Sequence, residues 1–299
     1  MYKYAPHLAV IFAALLWSVD ALLRQSLYAL PALLIITIEH GVGTLIFIPF
    51  LKKYWNDIKG LLQSGWISIL WISLLGGMGG TYFYTKALSY VGYIDLSIVV
   101  LLQKLQPVFA MSLAAIILKE KLSKKYILLA FLAIIGGYLV TFGKNSVPNW
   151  DDNTLIAALL ALLAAFCWGS STAIAKKALV SLHYSAVTGL RLAVTTLISL
   201  IIIIIIFNFE ILNVDISLNQ WSMIIIIVLS SGTFALFIYY YGLNKLPASH
   251  TTLYELFWPL SAVIIDWIRG GEPLAFMQLC GATFLLLSTT LLAQENSNE

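Results

Sequence analysis

The stretch SAVTGLRLAVTTLISLIIIIIIF, residues 185–207, decides the fold class of this chain. It carries one charged side chain, Arg191, and its 23 residues exceed the roughly 20 apolar residues that a membrane-spanning helix needs. The six consecutive isoleucines at 201–206 provide a surface for lipid or for packing. Because lipid offers the backbone no hydrogen-bond partners, such a segment crosses a membrane as a helix. The stretch therefore predicts a transmembrane span.

Nine further apolar stretches raise the prediction to ten spans and an all-α polytopic membrane protein. Of the 299 residues, 61% are hydrophobic and 10% are charged, which excludes a soluble enzyme, a disordered chain and a nucleic-acid-binding module. The first stretch has no clear cleavage site, so we expect a retained span and not a signal peptide. The approximate bounds of the spans are 8–28, 32–51, 66–88, 94–118, 126–142, 154–175, 185–207, 221–243, 248–268 and 274–293.

The distribution of lysine and arginine predicts how the chain is oriented. With the N-terminus inside, the inner segments hold eleven of the 17 basic residues and the outer segments hold three. Such an excess is typical of cytoplasmic loops. We therefore expect a multi-pass protein of the cell inner (cytoplasmic) membrane with both termini in the cytoplasm.

The two halves of the chain resemble each other. The pattern Ala-Ala-x-x-Trp that ends at Trp17 recurs at Trp168, 151 positions later, and Pro107 recurs as Pro259, 152 positions later. Each half then holds five spans, and an odd number of spans inverts the second half in the membrane. The sequence thus predicts two inverted five-helix repeats with a binding site near the bilayer midplane between them. The predicted repeats are residues 1–148 and 149–299.

These features resemble the drug/metabolite transporter superfamily, EamA type. The resemblance rests on the Trp in the first span of each half and on the Pro in the fourth, followed thirteen residues later by Glu120 or Glu272. The aromatic segments 83–88 and 238–243 resemble the end of the family's third span, and Arg191 resembles an arginine often found in the second span. The resemblance implies secondary transport by alternating access, with export commoner than import. It specifies no substrate.

Polar side chains inside the predicted spans form the candidate site. A charge at the bilayer centre costs at least about 2.5–3.5 kcal/mol, so such groups should face a cavity or one another. On the first span, Trp17, Asp20 and Arg24 share one helix face. Asp20 and Arg24 either neutralise each other or leave Asp20 at the wall of a cavity.

The second span carries Glu39 and His40 side by side. Glu39 is either the partner of a cation on another span or a protonatable group, and a hydrogen bond between helices is favoured for His40 over the alternative of a proton relay. Neighbouring side chains on a helix point about 100° apart, so these two cannot chelate one metal ion. No HExxH-type pattern occurs, and we expect neither a metal nor a cofactor. Candidates for carrying a coupling proton, if burial disfavours their charged forms, are Asp20, Glu39 and Glu255.

The fourth and ninth spans each contain a proline that removes a backbone hydrogen bond. Pro107 and Pro259 are therefore predicted hinges, because opened helices at matched positions point to a transporter site. Lys104 has no matched charge and pairs either with Glu255 or Glu39 or with a substrate carboxylate. On the ninth span, Tyr254 and Trp258 fall on one stripe at helical spacing.

Together these residues predict a secondary transporter of a small polar metabolite. Coexisting carboxylates and cations favour an amino acid or a related amine or zwitterion, and the partners expected are this substrate, the lipid bilayer and a coupling proton, with no nucleic acid. The alternatives are an intramembrane enzyme, which lacks a GxSxG motif, and a channel or non-transporting sensor. The predicted substrate-binding residues are Trp17, Asp20, Tyr82, Gln103, Lys104, Gln106, Trp168, Arg191, Tyr239, Tyr254, Glu255 and Trp258.

Overall fold

Apolar helices account for most of the described chain. A computed structural model describes residues 4–27, 29–90, 99, 102–103, 105–142, 152–207, 210–268 and 275–296. Two residues that matter for the predictions, Lys104 and Glu272, lie outside these ranges. Within them, every regular element is a helix.

The helices are numbered in chain order. Those of the first half are α1 (Ala5–Arg24), α2 (Ala32–Lys53), α3 (Trp55–Lys59), α4 (Gln63–Trp71), a π-helical segment (Ile72–Gly79), α5 (Gly80–Tyr90), α6 (Gln106–Ile117) and α7 (Lys124–Phe142). Those of the second half are α8 (Asp152–Ser181), α9 (Tyr184–Phe207), α10 (Leu218–Leu229), α11 (Thr233–Lys245), α12 (Ala248–Tyr254), α13 (Phe257–Ile268) and α14 (Phe276–Asn296). Short 3₁₀ turns cover Gln25–Leu27 and Glu210–Asn213.

Several of these helices have the length and composition of membrane spans. Five described segments are long and apolar enough to cross a membrane: Ala32–Lys53, Gln63–Ala87, Leu155–Ser181, Tyr184–Ile206 and Leu218–Lys245. Shorter apolar helices cover Ala5–Asp20, Gln106–Ile117 and Phe276–Leu292. In the isoleucine run Ile203 is buried, whereas Ile205 is 72% exposed, so most of that run forms an outer apolar surface suited to lipid.

The helix contacts that the first half makes with the second are matched by equivalent contacts that the second half makes with the first. The first helix of the first half, α1, packs on α11 and α13 of the second half. Correspondingly, the first helix of the second half, α8, packs on α5 and α6 of the first. Two pairs join equivalent helices of the two halves, namely α2 with α9 and α7 with α14, and α6 of the fourth span packs on α12 of the ninth. Each half therefore completes its core with helices of the other.

The α7–α14 pair owes its close approach to two glycines. A Cβ atom on Gly136 would lie 2.7 Å from the carbonyl oxygen of Gly281, and one on Gly281 would lie 2.7 Å from the carbonyl oxygen of Gly136. Small residues allow membrane helices to pack backbone against backbone. The contact leaves no room for a methyl group on either side.

We predict that Gly136→Ala destabilises the protein by about 1–3 kcal/mol, the usual cost of overpacking. The neighbouring substitution Gly137→Ala is the matched control, since a Cβ there meets the Leu256 Cδ2 atom at an ordinary 3.5 Å. Thermal unfolding in detergent measures the difference. Equal melting temperatures for the two variants would contradict the role given to the glycine contact.

Candidate functional site

A central cavity of about 240 Å³ lies between the two halves. Most of the predicted binding residues surround it, together with Glu39 and the predicted hinge Pro107. The predicted binding residues that line it are Trp17, Asp20, Gln103, Gln106, Trp168, Arg191, Tyr239, Glu255 and Trp258. The internal repeat and the intramembrane polar residues thus converge on one space. Whether these residues bind substrate stays a prediction.

Two predicted binding residues do not reach the cavity. Tyr82 is 40% exposed on α5 and packs edge-on against Phe83, on the outer side of the helix. Tyr254 is fully buried in the core, where its hydroxyl donates to the carbonyl of Thr289 (3.3 Å) and its ring packs on His7. The prediction that Tyr254 and Trp258 lie on one stripe assumed a continuous helix. Because α12 ends at Tyr254, the spacing of a continuous helix does not apply. Lys104 lies outside the described residues, so its predicted role stays a prediction.

The charges of the first two spans form one network around Arg24. Arg24 binds Glu39 through two parallel hydrogen bonds of 3.0 Å from its Nη1 and Nη2 atoms. Its Nε atom donates to Asp20, whose other oxygen accepts from the Ser231 hydroxyl (2.6 Å). Asp20 thus belongs to a neutralising network and also lies at the cavity wall, and Glu39 is the partner of a cation on another helix. Planar two-point pairing of this kind suits arginine and a carboxylate.

Glu255 has a different environment, built from neutral donors. Its Oε1 atom accepts from the Tyr239 hydroxyl and its Oε2 atom from the Gln106 amide, both at 2.5 Å. The Thr172 hydroxyl lies 2.9 Å from the Tyr239 hydroxyl and extends the chain of polar groups. No salt bridge to Glu255 occurs among the described residues.

Breaks in two helices place these groups at the cavity. In the ninth span, α12 ends at Tyr254 and α13 starts at Phe257, so Glu255 sits in the gap. In the fourth span, α6 starts at Gln106 with Pro107 in its first turn, where a proline's missing N–H costs nothing. Pro107 therefore lies in the first turn of α6. The hinge role of Pro107 and Pro259 stays a prediction.

Aromatic rings form matching walls on the two sides of the cavity. Trp17 packs on Tyr239 at 5.2 Å between ring centroids, and Trp168 packs on Tyr84 at 5.5 Å. The Trp258 indole N–H also donates to the Trp17 carbonyl (2.8 Å). Rings at these positions supply broad apolar faces with polar edges, which suit a flat ring-bearing ligand.

The sequence reading missed the π-helical segment beside the cavity. A Cβ on Gly76 would lie 2.1 Å from the Ser171 hydroxyl, and one on Gly77 would lie 2.2 Å from the Thr195 hydroxyl. The signal was present as Gly-Gly-Met-Gly-Gly at 76–80, because a run of glycines marks a close backbone approach. Single π turns are frequent at functional sites. Cavity residues that were also missed include Tyr84, Thr172 and Ser231.

A polar and aromatic cavity enclosed by apolar helices from two similar halves is typical of secondary transporters. The family model of the EamA-like transporter family matches residues 5–142 and 155–294. The chain belongs to the EamA-like transporter family, as its motifs predicted.

Named relatives and a solved structure extend this result. The chain is 35% identical over 97% of both sequences to the riboflavin transporter ImpX of Fusobacterium nucleatum subsp. nucleatum. It is 23% identical to the uncharacterized transporter YoaV of Bacillus subtilis, over 93% of each chain. A crystal structure with 18% identity superposes with a TM-score of 0.76 over 97% of this chain and 98% of the other, which supports the fold.

We predict that Arg24→Gln destabilises the protein by about 3–5 kcal/mol, because it leaves the buried Glu39 and the partly buried Asp20 without their cation. The double variant R24Q/E39Q should recover part of this loss, since it removes one stranded charge. Lys59→Gln serves as the control because Lys59 is exposed. The free energies of unfolding of the wild type and of these variants, measured in detergent, test the prediction. An R24Q protein as stable as the wild type would show that the network contributes little.

Proposed function

We propose that this chain is a secondary transporter of riboflavin or a closely similar flavin, working by alternating access. The observation that carries the substrate is the 35% identity, over nearly the full length of both chains, to a protein named a riboflavin transporter. The cavity supports it: paired tryptophan and tyrosine rings would stack on the isoalloxazine ring system, while neutral hydroxyl and amide groups would bind the ribityl chain.

The charges of the cavity also favour a neutral substrate. The sequence alone predicted a zwitterion because carboxylates and cations coexist in the spans. In the structure, Asp20 and Glu39 are already occupied by Arg24, and Glu255 accepts from neutral donors. An uncharged, ring-bearing polyol requires no further ion pair. An amino acid or related amine remains the second candidate, because Glu255 and Arg191 are not paired with each other and would suit an ammonium and a carboxylate.

The proposal includes the arrangement of the chain in the membrane. We propose ten spans in two inverted repeats, 1–148 and 149–299, in the cell inner membrane with cytoplasmic termini. The exchange of helix contacts between halves, the family match in two segments and the excess of inner lysines support it. The partners are the substrate and the lipid bilayer, without nucleic acid. Export is the direction that the family resemblance favours.

The purified protein in liposomes should exchange labelled riboflavin for internal riboflavin in a saturable manner. Saturation separates a carrier from a channel, and exchange without modification separates it from an enzyme. Amino acids and amines, tested as competitors in the same assay, decide between the two candidate substrates. A protein that exchanges an amino acid but no flavin would refute the flavin proposal. Comparison of right-side-out and inverted vesicles gives the direction.

Among the three carboxylates, we propose Glu255 as the carrier of a coupling proton. Asp20 and Glu39 both form ion pairs with Arg24, so protonating either would weaken one of these pairs. Glu255 has no described cationic partner, and its two bonds come from the Tyr239 hydroxyl and the Gln106 amide. Adding a proton at Glu255 therefore alters these bonds without leaving an unbalanced cation.

Glu255→Gln should abolish accumulation of substrate driven by a pH gradient but preserve exchange of substrate at equal pH. The amide mimics a protonated carboxyl and cannot release the proton. Asp20→Asn is the comparison, since Asp20 belongs to the Arg24 network and its loss should lower stability without uncoupling. Accumulation that stays as high in E255Q as in the wild type would exclude Glu255 as the coupling site.

A further inference from the structure

Most polar groups at the cavity hydrogen-bond one another, but Gln103, Ser171, His40 and Arg191 each keep an atom without a partner among the described residues, and the last two come from neighbouring helices. The carboxylates of Asp20, Glu39 and Glu255 all accept hydrogen bonds within the protein. His40 and Arg191 also line the cavity, on α2 and α9, and each keeps hydrogen-bonding atoms without a partner in the described chain. Buried polar groups are seldom left unsatisfied, so these two point to a ligand.

The free atom of His40 is an acceptor. Its Nδ1 atom lies 2.9 Å from the carbonyl oxygen of Ile36, one turn earlier on α2. A carbonyl oxygen can only accept, so Nδ1 carries the hydrogen. In a neutral imidazole the other nitrogen, Nε2, then has a lone pair and no hydrogen. His40 thus offers the cavity an acceptor of defined identity.

Arg191 offers donors. Its Nη1 atom donates to the Tyr240 hydroxyl (2.7 Å), and its guanidinium carbon lies 5.7 Å from the centre of the Tyr240 ring. The Nε atom is buried with no hydrogen-bond partner, and Arg191 forms no ion pair among the described residues. A planar guanidinium can present neighbouring N–H groups to an oxygen acceptor.

The packing of α2 on α9 brings the two side chains to the same part of the cavity. A Cβ on Gly43 would lie 3.3 Å from Leu192, which follows Arg191, and one on Gly41 would lie 3.6 Å from Thr196. His40 and Arg191 are also equivalent positions of the two repeats, 151 residues apart. An acceptor and a donor therefore face the ligand from matching places on two helices.

We propose that His40 and Arg191 together recognise a cyclic imide, a ring N–H flanked by carbonyl groups. The ligand N–H donates to His40 Nε2, and an adjacent ligand carbonyl oxygen accepts from Arg191. This rests on the proposed function, because the pyrimidine edge of the isoalloxazine ring of riboflavin is such an imide. The pair sets the specificity of the site, while the aromatic walls bind the rest of the ring system.

Riboflavin and 3-methylriboflavin, whose imide hydrogen is replaced by a methyl group, test this directly. Flavin fluorescence quenching and exchange in liposomes are measured for the wild type, His40→Ala, His40→Gln and Arg191→Met. Thr196→Val on α9 is the control, since its hydroxyl donates only to the Leu192 carbonyl of its own helix. Thermal unfolding confirms that each variant is folded. If H40A does not fold, H40Q, whose amide oxygen is still an acceptor, serves as the alternative variant.

The wild type should bind 3-methylriboflavin roughly 10- to 100-fold more weakly than riboflavin, the usual effect of leaving a buried acceptor unpaired. H40A should lose this discrimination, H40Q should keep part of it, and T196V should keep all of it. R191M should weaken both flavins by a similar factor, because both retain the carbonyl. A folded H40A or R191M protein with wild-type affinities and discrimination would overturn the proposal.

A second pair of ligands distinguishes an error in the proposed flavin substrate from an error in the proposed imide recognition. Uridine and 3-methyluridine carry the same imide edge, with and without its hydrogen, on a smaller ring. A wild type that ignores riboflavin but discriminates between the two uridines through His40 would refute the flavin proposal and support imide recognition. A wild type that transports riboflavin and 3-methylriboflavin equally would support flavin transport and overturn imide recognition.

Discussion

The rule that a charge inside a membrane needs a partner or a cavity organises this structure. Arg24 meets it by binding Asp20 on its own helix and Glu39 on α2. Asp20 in turn accepts from Ser231, between α10 and α11 of the other half. One cation thus ties α1 to α2 and, through a carboxylate, to the second half. The position of these helices determines where the cavity lies and which groups remain free to line it.

Features that depend on composition or on spacing within one helix could be predicted from the sequence, whereas contacts between helices could not. Apolar runs, the repeat and the pairing of Asp20 with Arg24 depend on composition or on spacing within one helix, and all were predictable. The bond between Arg24 and Glu39 joins two helices, so the sequence left the partner of Glu39 open. The stripe that included Tyr254 assumed a continuous helix, and that assumption failed where α12 ends.

The same distinction applies to the π-helical segment and to Tyr82. A π turn inserts a residue into the hydrogen-bond ladder, and its position depends on which neighbours press against the backbone, here Ser171 and Thr195. The spacing of residues in a single sequence does not show which side chains of other helices contact that backbone. Tyr82 was predicted as one of several rings that could stack on a substrate, yet it is the nearby Tyr84 whose ring packs on Trp168. A shift of two residues on a helix moves a side chain to the opposite face.

The helix contacts also restrict how the cavity can open. Because α1 packs on α11 and α13, and α8 on α5 and α6, moving one complete repeat against the other would expose both packed faces. Two groups of helices, each drawn from both halves, keep those faces buried if each moves as a unit: α1 with α11 and α13, and α8 with α5 and α6. Each aromatic pair lies within one of these groups. The bonds that cross between the groups are then decisive. Gln106 donates to Glu255, and Thr172 meets Tyr239, which also donates to Glu255. Glu255 therefore lies where the two groups meet, so in the proposed proton-coupled alternating access a proton gained or lost there would act on a contact between the groups.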